Sequence, residues 1–109
     1  MIARTYEHGG VHFLDVAGTM YVLADEASVG TMTRWRGSRV VKVPSDGVGP
    51  ARAQVRHATV FVDATGNVKS FTEGDHANLR GGAGPEMGEP ERTWLDRQRE
   101  AYEVEDSHA

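Results

Sequence analysis

Residues 3–24 read ARTYEHGGVHFLDVAGTMYVLA, three short runs of β-branched and aromatic residues cut by Gly9-Gly10 and Ala17-Gly18. Such runs, bounded by glycine-bearing pairs, are the pattern of strands joined as hairpins. A Gly-Gly pair suits the primed turns, whose backbone twist matches that of the strands they join. With the turn at Gly9-Gly10, His8 falls opposite Val11, Tyr6 opposite Phe13 and Arg4 opposite Asp15, so an aromatic pair and an ion pair support one register. The next reversal sets Val16 opposite Thr19, Leu14 opposite Tyr21 and His12 opposite Leu23 on one face, and Phe13 opposite Val22 and Val11 opposite Ala24 on the other. Both faces are apolar, whereas a sheet with one wet side alternates apolar and polar residues. The meander is therefore expected to be covered on both sides, by its own chain or by another.

Working outward, DEASVG (25–30) reads as a polar turn, and TMTRWRGSRVVKV (31–43) as a second hairpin reversing at Gly37-Ser38. That reversal pairs Arg36 with Arg39, Arg34 with Val41 and Met32 with Val43. PSDGVGPAR (44–52), with two prolines and two glycines, reads as a loop. AQVRHATVFV (53–62) and NVKSFT (67–72) form a hairpin whose three-residue loop Ala64-Thr65-Gly66 needs a left-handed Gly66 and sets Val62 opposite Val68. The expected fold is a small, mainly antiparallel β-barrel or sandwich of about six to seven strands, occupying residues 1–72. Its expected core is Phe13, Leu14, Val16, Tyr21, Val22, Leu23, Val41, Val43, Val60, Val62, Val68 and Phe71.

From Glu73 the composition changes. Residues 73–90 carry glycines, prolines and few apolar groups to offset ordering entropy, and read as a linker. ERTWLDRQREAYEV (91–104) then reads as a helix after Pro90, with Trp94, Leu95, Gln98 and Tyr102 on one stripe. A helix of three to four turns is marginal alone in water and requires something to pack on. Residues 91–109 thus form an acidic C-terminal helix and tail.

Charge is distributed unevenly over the 109 residues: the formal net of −4 divides into +1 for residues 1–84 and −5 for residues 85–109. Against that background, Arg34, Arg36, Arg39, Lys42, Arg52 and Arg56 face only Asp46 between positions 34 and 56. A cationic ribbon with Trp35 at its centre suits phosphate contacts and base stacking, or an acidic protein surface. It also suits the guarding of a strand edge against aggregation. The acidic tail is one surface able to meet it, on the same subunit or a neighbour.

Several chemistries are excluded or unsupported. Cysteine is absent, which removes disulfides, thiolate metal sites and thiol nucleophiles. His8 and His12 fall on opposite faces of their hairpin, and His76 and His108 lie far off in sequence, so no three metal ligands converge. No HExxH, GxSxG or P-loop pattern occurs. The N-terminal residues lack the apolar run of a secretory signal and no segment has the length of a membrane span. The expectation is a protein of the cytoplasm, or of a particle assembled there, without cofactor, metal or catalytic residues. Its expected role is interaction and assembly, as in a small structural component of a virion. Partner contacts are expected from Arg34, Trp35, Arg36, Arg39, Lys42, Arg56, Trp94, Leu95 and Tyr102. A nucleic-acid-binding accessory protein using the ribbon 34–42 is the second reading, and a small hydrolase or metal-dependent enzyme the third.

Overall fold

The structure is a computed structural model that describes residues 1–43, 52–74 and 87–107. Among these, six antiparallel strands lie in chain order in one sheet: β1 (Ala3–His8), β2 (Val11–Val16), β3 (Thr19–Val29), β4 (Met32–Val43), β5 (Arg52–Val62) and β6 (Val68–Gly74). One helix, α1 (Glu89–Ser107), follows. The mainly β fold expected from the hairpin pattern is thus present. The sheet curls without closing all round: its two outer strands meet at one corner only. There an Ile2–Asn67 bridge is flanked by Ala3 N–H donating to Gly66 O at 3.0 Å and Val68 N–H to Met1 O at 2.9 Å.

The first meander forms as its sequence dictates. Tyr6 pairs with Phe13 and Arg4 with Asp15 in β1–β2, while Leu14 pairs with Tyr21 and Val16 with Thr19 in β2–β3. At the second turn Ala17 takes φ 51° and Gly18 φ 91°, the left-handed pair of a primed turn. The Asp15 carboxylate accepts the Gly18 N–H at 2.8 Å and helps hold the strained alanine. The pairing ends sooner than the pattern implies. β3 bulges between Leu23 and Asp25 and leaves β2 after Phe13–Val22, so His12 does not face Leu23. Its N–H instead donates to the Glu91 carboxylate of α1 at 3.1 Å.

Two sequence expectations are corrected here. Residues 25–30 are not a polar turn, since β3 runs to Val29 and the chain reverses at Gly30-Thr31. Nor does the chain reverse at Gly37-Ser38: β4 is a single strand from Met32 to Val43, and Arg36 pairs with Asp25 and Thr59 instead of Arg39. The physical reason is charge matching across strands. The acids of 25–26 lie opposite the basic and indole residues of 34–36, which makes two polar segments a favourable ladder.

Side-chain alternation then assigns the faces. The inner face holds the core: Ala3, Leu14, Val16, Tyr21, Ala58, Val60 and Val62, with Leu23, Trp35 and Val68 packed on its margin. The outer face carries Phe13, Val22 and Ser38, and α1 lies across it. The Trp94 ring meets Phe13 edge-on at 5.3 Å, and Leu95 is buried. The stripe of Trp94, Leu95, Gln98 and Tyr102 is thus the buried side of the helix, joined by buried Glu91. The second apolar face of the meander is covered by the chain itself, with Phe13 4% and Val22 0% exposed.

Of the expected core, Phe71 is corrected to an exposed position, at 38%, because β6 is an edge strand with a neighbour on one side only. Val41 is half-buried, and the side chain of Val43 lies outside the described residues. Glu73 and Gly74 belong to β6 and Glu89 and Pro90 to α1, not to a linker; residues 75–86 lie outside the described residues, as do 44–51.

Candidate functional site

Because β4 is one strand, its residues alternate between faces, and the expected basic ribbon is divided. Arg34, Arg36 and Lys42 lie on the outer face. Trp35 and Arg39 lie on the inner one, with Arg56 directly opposite Arg39 on β5. The arginines of β4 also meet carboxylates. Asp25 accepts from Arg34 Nη2 at 3.1 Å and lies 3.8 Å from Arg36 Nη1. The Trp35 indole N–H donates to Glu26. Both of these acids come from β3. The Nε atoms of Arg34 and Arg36 are buried without a hydrogen-bond partner, so both guanidiniums are held by packing as well as charge.

The inner face contains a connected polar group that the sequence did not reveal. Tyr21 and Arg39 both donate to Glu73, Arg39 through Nε at 3.1 Å and Nη2 at 2.9 Å. The Arg39 guanidinium also stands 5.7 Å from the Tyr21 ring centre. A two-pronged arginine–carboxylate contact is a strong and directional form of ion pair. Burial raises the Tyr21 phenol well above its ordinary value, and the Glu73 contact adds to this. Hydrogen bonding from Arg39 holds the Glu73 carboxyl below its usual 4.5. A carboxylate with a depressed folded pKa contributes stability that is complete above its unfolded value and is lost as pH falls through the folded one. Glu73→Gln is accordingly expected to lower stability by about 1–2 kcal/mol at neutral pH and to flatten the loss of stability below pH 4.5. Chemical denaturation from pH 7 down to pH 3 measures both, and an unchanged acid limb would remove Glu73 from this role.

On the outer face Ser38 Oγ meets His57 Nδ1 at 2.6 Å. The pair resembles a nucleophile and base only in composition. Ser38 is fully buried on the face that α1 covers, so its hydroxyl has no approach for a substrate carbonyl. At the other end of α1, buried Glu91 accepts the His12 N–H and lies 3.6 Å from His12 Nδ1, fixing the first helical turn to the top of β2. Two shallow depressions flank α1. One, of about 390 Å³, is lined by Val11, Glu89, Pro90, Thr93, Trp94 and Arg97; the other, of about 240 Å³, by Thr19, Met20, Arg39, Val40, Trp94, Gln98 and Tyr102. Trp94 and Tyr102 thus retain some accessible surface, while Leu95 is taken up by the sheet. Among the described residues no group of three His, Asp or Glu side chains is placed to hold a metal ion. No helix among them is long and apolar enough to cross a membrane.

The open edge of the sheet is the remaining feature. Beyond Val68, whose N–H is taken by Met1, β6 pairs with β5 alone among the described residues, and it carries exposed Phe71 between Lys69 and Glu73. An unpaired strand presents a row of backbone donors and acceptors that another strand can satisfy. Sequence reasoning missed this edge because nothing in a strand's own residues states whether it has one neighbour or two. Set against known proteins, the chain matches no family model, no curated protein and no solved structure.

Proposed function

We propose that the protein is a non-enzymatic interaction and assembly protein, a small structural component of a larger particle that contacts its neighbours through the β-sheet and the outer side of the acidic helix. The observation that carries this reading is the unclosed sheet, whose β6 edge bears a large exposed aromatic residue. Monomeric proteins commonly protect such an edge with charge, a bulge or a covering segment. β6 has a bulge and one lysine near its start, at Val68-Lys69, and an uncovered phenylalanine at its centre among the described residues. Exposed Met1 and Ile2 lie at the corner where β6 begins, and extend the apolar surface there.

The nucleic-acid reading has less support, since the arginines of β4 are split between two faces and meet Asp25 and Glu73. The two readings separate by salt. Phosphate binding weakens steeply as salt rises, with a slope set by the number of phosphates contacted, whereas strand pairing and apolar contact tolerate it. Sedimentation equilibrium at several chain concentrations and two salt levels is expected to give a mass rising above 11.9 kDa in both. Tight, salt-sensitive binding to a DNA or RNA oligomer by a strict monomer would overturn the assembly reading in favour of the other.

A further inference from the structure

The β6 edge is complementary to itself in one register. In an antiparallel pair formed by two copies about a two-fold axis, the residue on the axis faces its own copy and the others pair symmetrically about it. With Phe71 on the axis, Lys69 of each copy faces Glu73 of the other, Ser70 faces Thr72, and the two Phe71 rings meet. Both Phe71 and Glu73 belong to the inner face of the sheet, paired with Val60 and Ala58, so the rings and the carboxylates of both copies would continue one surface. The neighbouring registers lose these matches: with Ser70 on the axis Lys69 faces Phe71, and with Thr72 on the axis Glu73 faces Phe71.

The other open edge has no comparable register. Pairing β1 with itself about Thr5 sets Arg4 against Tyr6 but leaves Glu7 against Ala3 with no ion pair, and pairing it about Tyr6 sets Arg4 against His8 and Glu7 against Thr5. Pairing about Arg4 or Glu7 places like charges face to face, which is unfavourable in a sheet.

We infer that two copies of this chain join edge to edge through β6, in the antiparallel register that places Phe71 on the two-fold axis and Lys69 of each copy beside Glu73 of the other. This rests on the assembly reading above and specifies its partner and surface. The Lys69 side chain is 55% exposed and, among the described residues, its ammonium meets one carboxylate, Asp63, at 3.6 Å, so it can turn toward the neighbour. Glu73 already holds Arg39 and Tyr21, and a second cation from the neighbour would complete the surroundings of its carboxylate. Pairing stops at Lys69 because Met1 occupies the backbone of Val68. A contact of this length is smaller than the ~1,200–2,000 Å² of stable complexes. It therefore forms at high chain concentration, or where a particle already holds copies together.

The absence of native cysteine makes a direct test simple. In Phe71→Cys the two introduced thiols face each other across the axis, and mild oxidation is expected to yield a covalent dimer at least tenfold faster than in Ser70→Cys. A mixture of Ser70→Cys with Thr72→Cys is expected to yield the mixed dimer in preference to either self-pair. Lys69→Gln, which removes the cation without setting a second carboxylate beside Asp63, is expected to weaken the wild-type association severalfold while the melting temperature of the dilute chain changes little. If the wild-type mass rises with concentration but the mixture of Ser70→Cys with Thr72→Cys, which keeps both Phe71 rings, does not favour the mixed dimer, the β6 pairing is wrong while assembly through another surface stands. If the wild-type chain remains monomeric at every concentration and salt level, the pairing is overturned, and so is self-assembly as the form of the proposed function.

Discussion

Gly37→Ala is expected to lower the stability of the folded chain by about 3 kcal/mol, the upper part of the range for forcing extra volume into a packed interior. A Cβ at position 37 would stand 2.8 Å from Tyr21 Cβ, 3.0 Å from Val22 O and 3.2 Å from Leu14 Cδ2. Two of these neighbours cannot swing aside. Tyr21 Cβ and Val22 O move only with the backbone of β3, and that strand is held on one side by β2 and on the other by β4 itself. Leu14 and Tyr21 are both buried in the core, so displacing either disturbs Val60 and Val62 as well. In a domain of this size the loss would appear as a fall in melting temperature on the order of 10–20 °C. Gly37→Val should exceed this and leave little folded protein. A Gly37→Ala variant within 0.5 kcal/mol of wild type by urea denaturation, ~0.5 being the scatter of neutral surface changes, would mean that β3 gives way without cost.

Removal of α1 is expected to have a larger effect. A chain ending before Glu89 bares Phe13 and Val22, which are almost wholly buried beneath the helix. It also deprives the His12 N–H of Glu91. Burial of each large apolar side chain contributes about 1.5–3 kcal/mol. Phe13 and Val22 on the sheet, together with Trp94 and Leu95 on the helix, therefore account for a stabilisation comparable to the ~5–15 kcal/mol available to a whole domain. The truncated chain is expected to aggregate or to bind hydrophobic dyes. Leu95→Asp gives a graded version of the same test, since it leaves the length unchanged and places a charge in the buried stripe. A truncated chain that melts as a cooperative monomer near the wild-type temperature would show that the sheet stands without its helix.

These two expectations bear on the assembly reading. The apolar second face of the meander calls for a cover, and α1 supplies it from the same chain. Among the described residues, the surfaces on which the proposal rests are narrower: the β6 edge, the corner at Met1 and Ile2, and the outer side of the helix. Truncation of α1 and disruption of β6 pairing should therefore be separable, the first unfolding the chain and the second changing only its mass.

The turns and registers of residues 3–22 were legible because each is set by local chemistry. Gly9-Gly10 and Ala17-Gly18 take the positive φ that a tight hairpin needs, and a fixed turn determines every pair that follows. Gly66 is legible for the same reason, with φ 87° after Asp63 has capped the loop through Thr65 and Asn67. The helical stripe was legible from its period alone. The site on β4 was not. Gly37-Ser38 has the composition of a turn, yet Gly37 is glycine because Tyr21 crowds it, and Ser38 is serine because His57 lies opposite beneath the helix. Neither neighbour is close in sequence, and the wrong turn carried the whole basic ribbon to the wrong geometry.

What this amino-acid sequence determined by itself is therefore its local geometry: the predominance of strands, where the first hairpins reverse, and which side of the C-terminal helix is apolar. These follow from backbone preference and from the spacing of apolar residues, both of which act over a few positions. Only the tertiary structure decided which carboxylate meets each arginine, which face the helix covers and which strand is left at the edge. Those outcomes depend on contacts between residues as far apart as Tyr21 and Glu73 or His12 and Glu91. Such contacts exist only once the sheet has curled enough to bring them together.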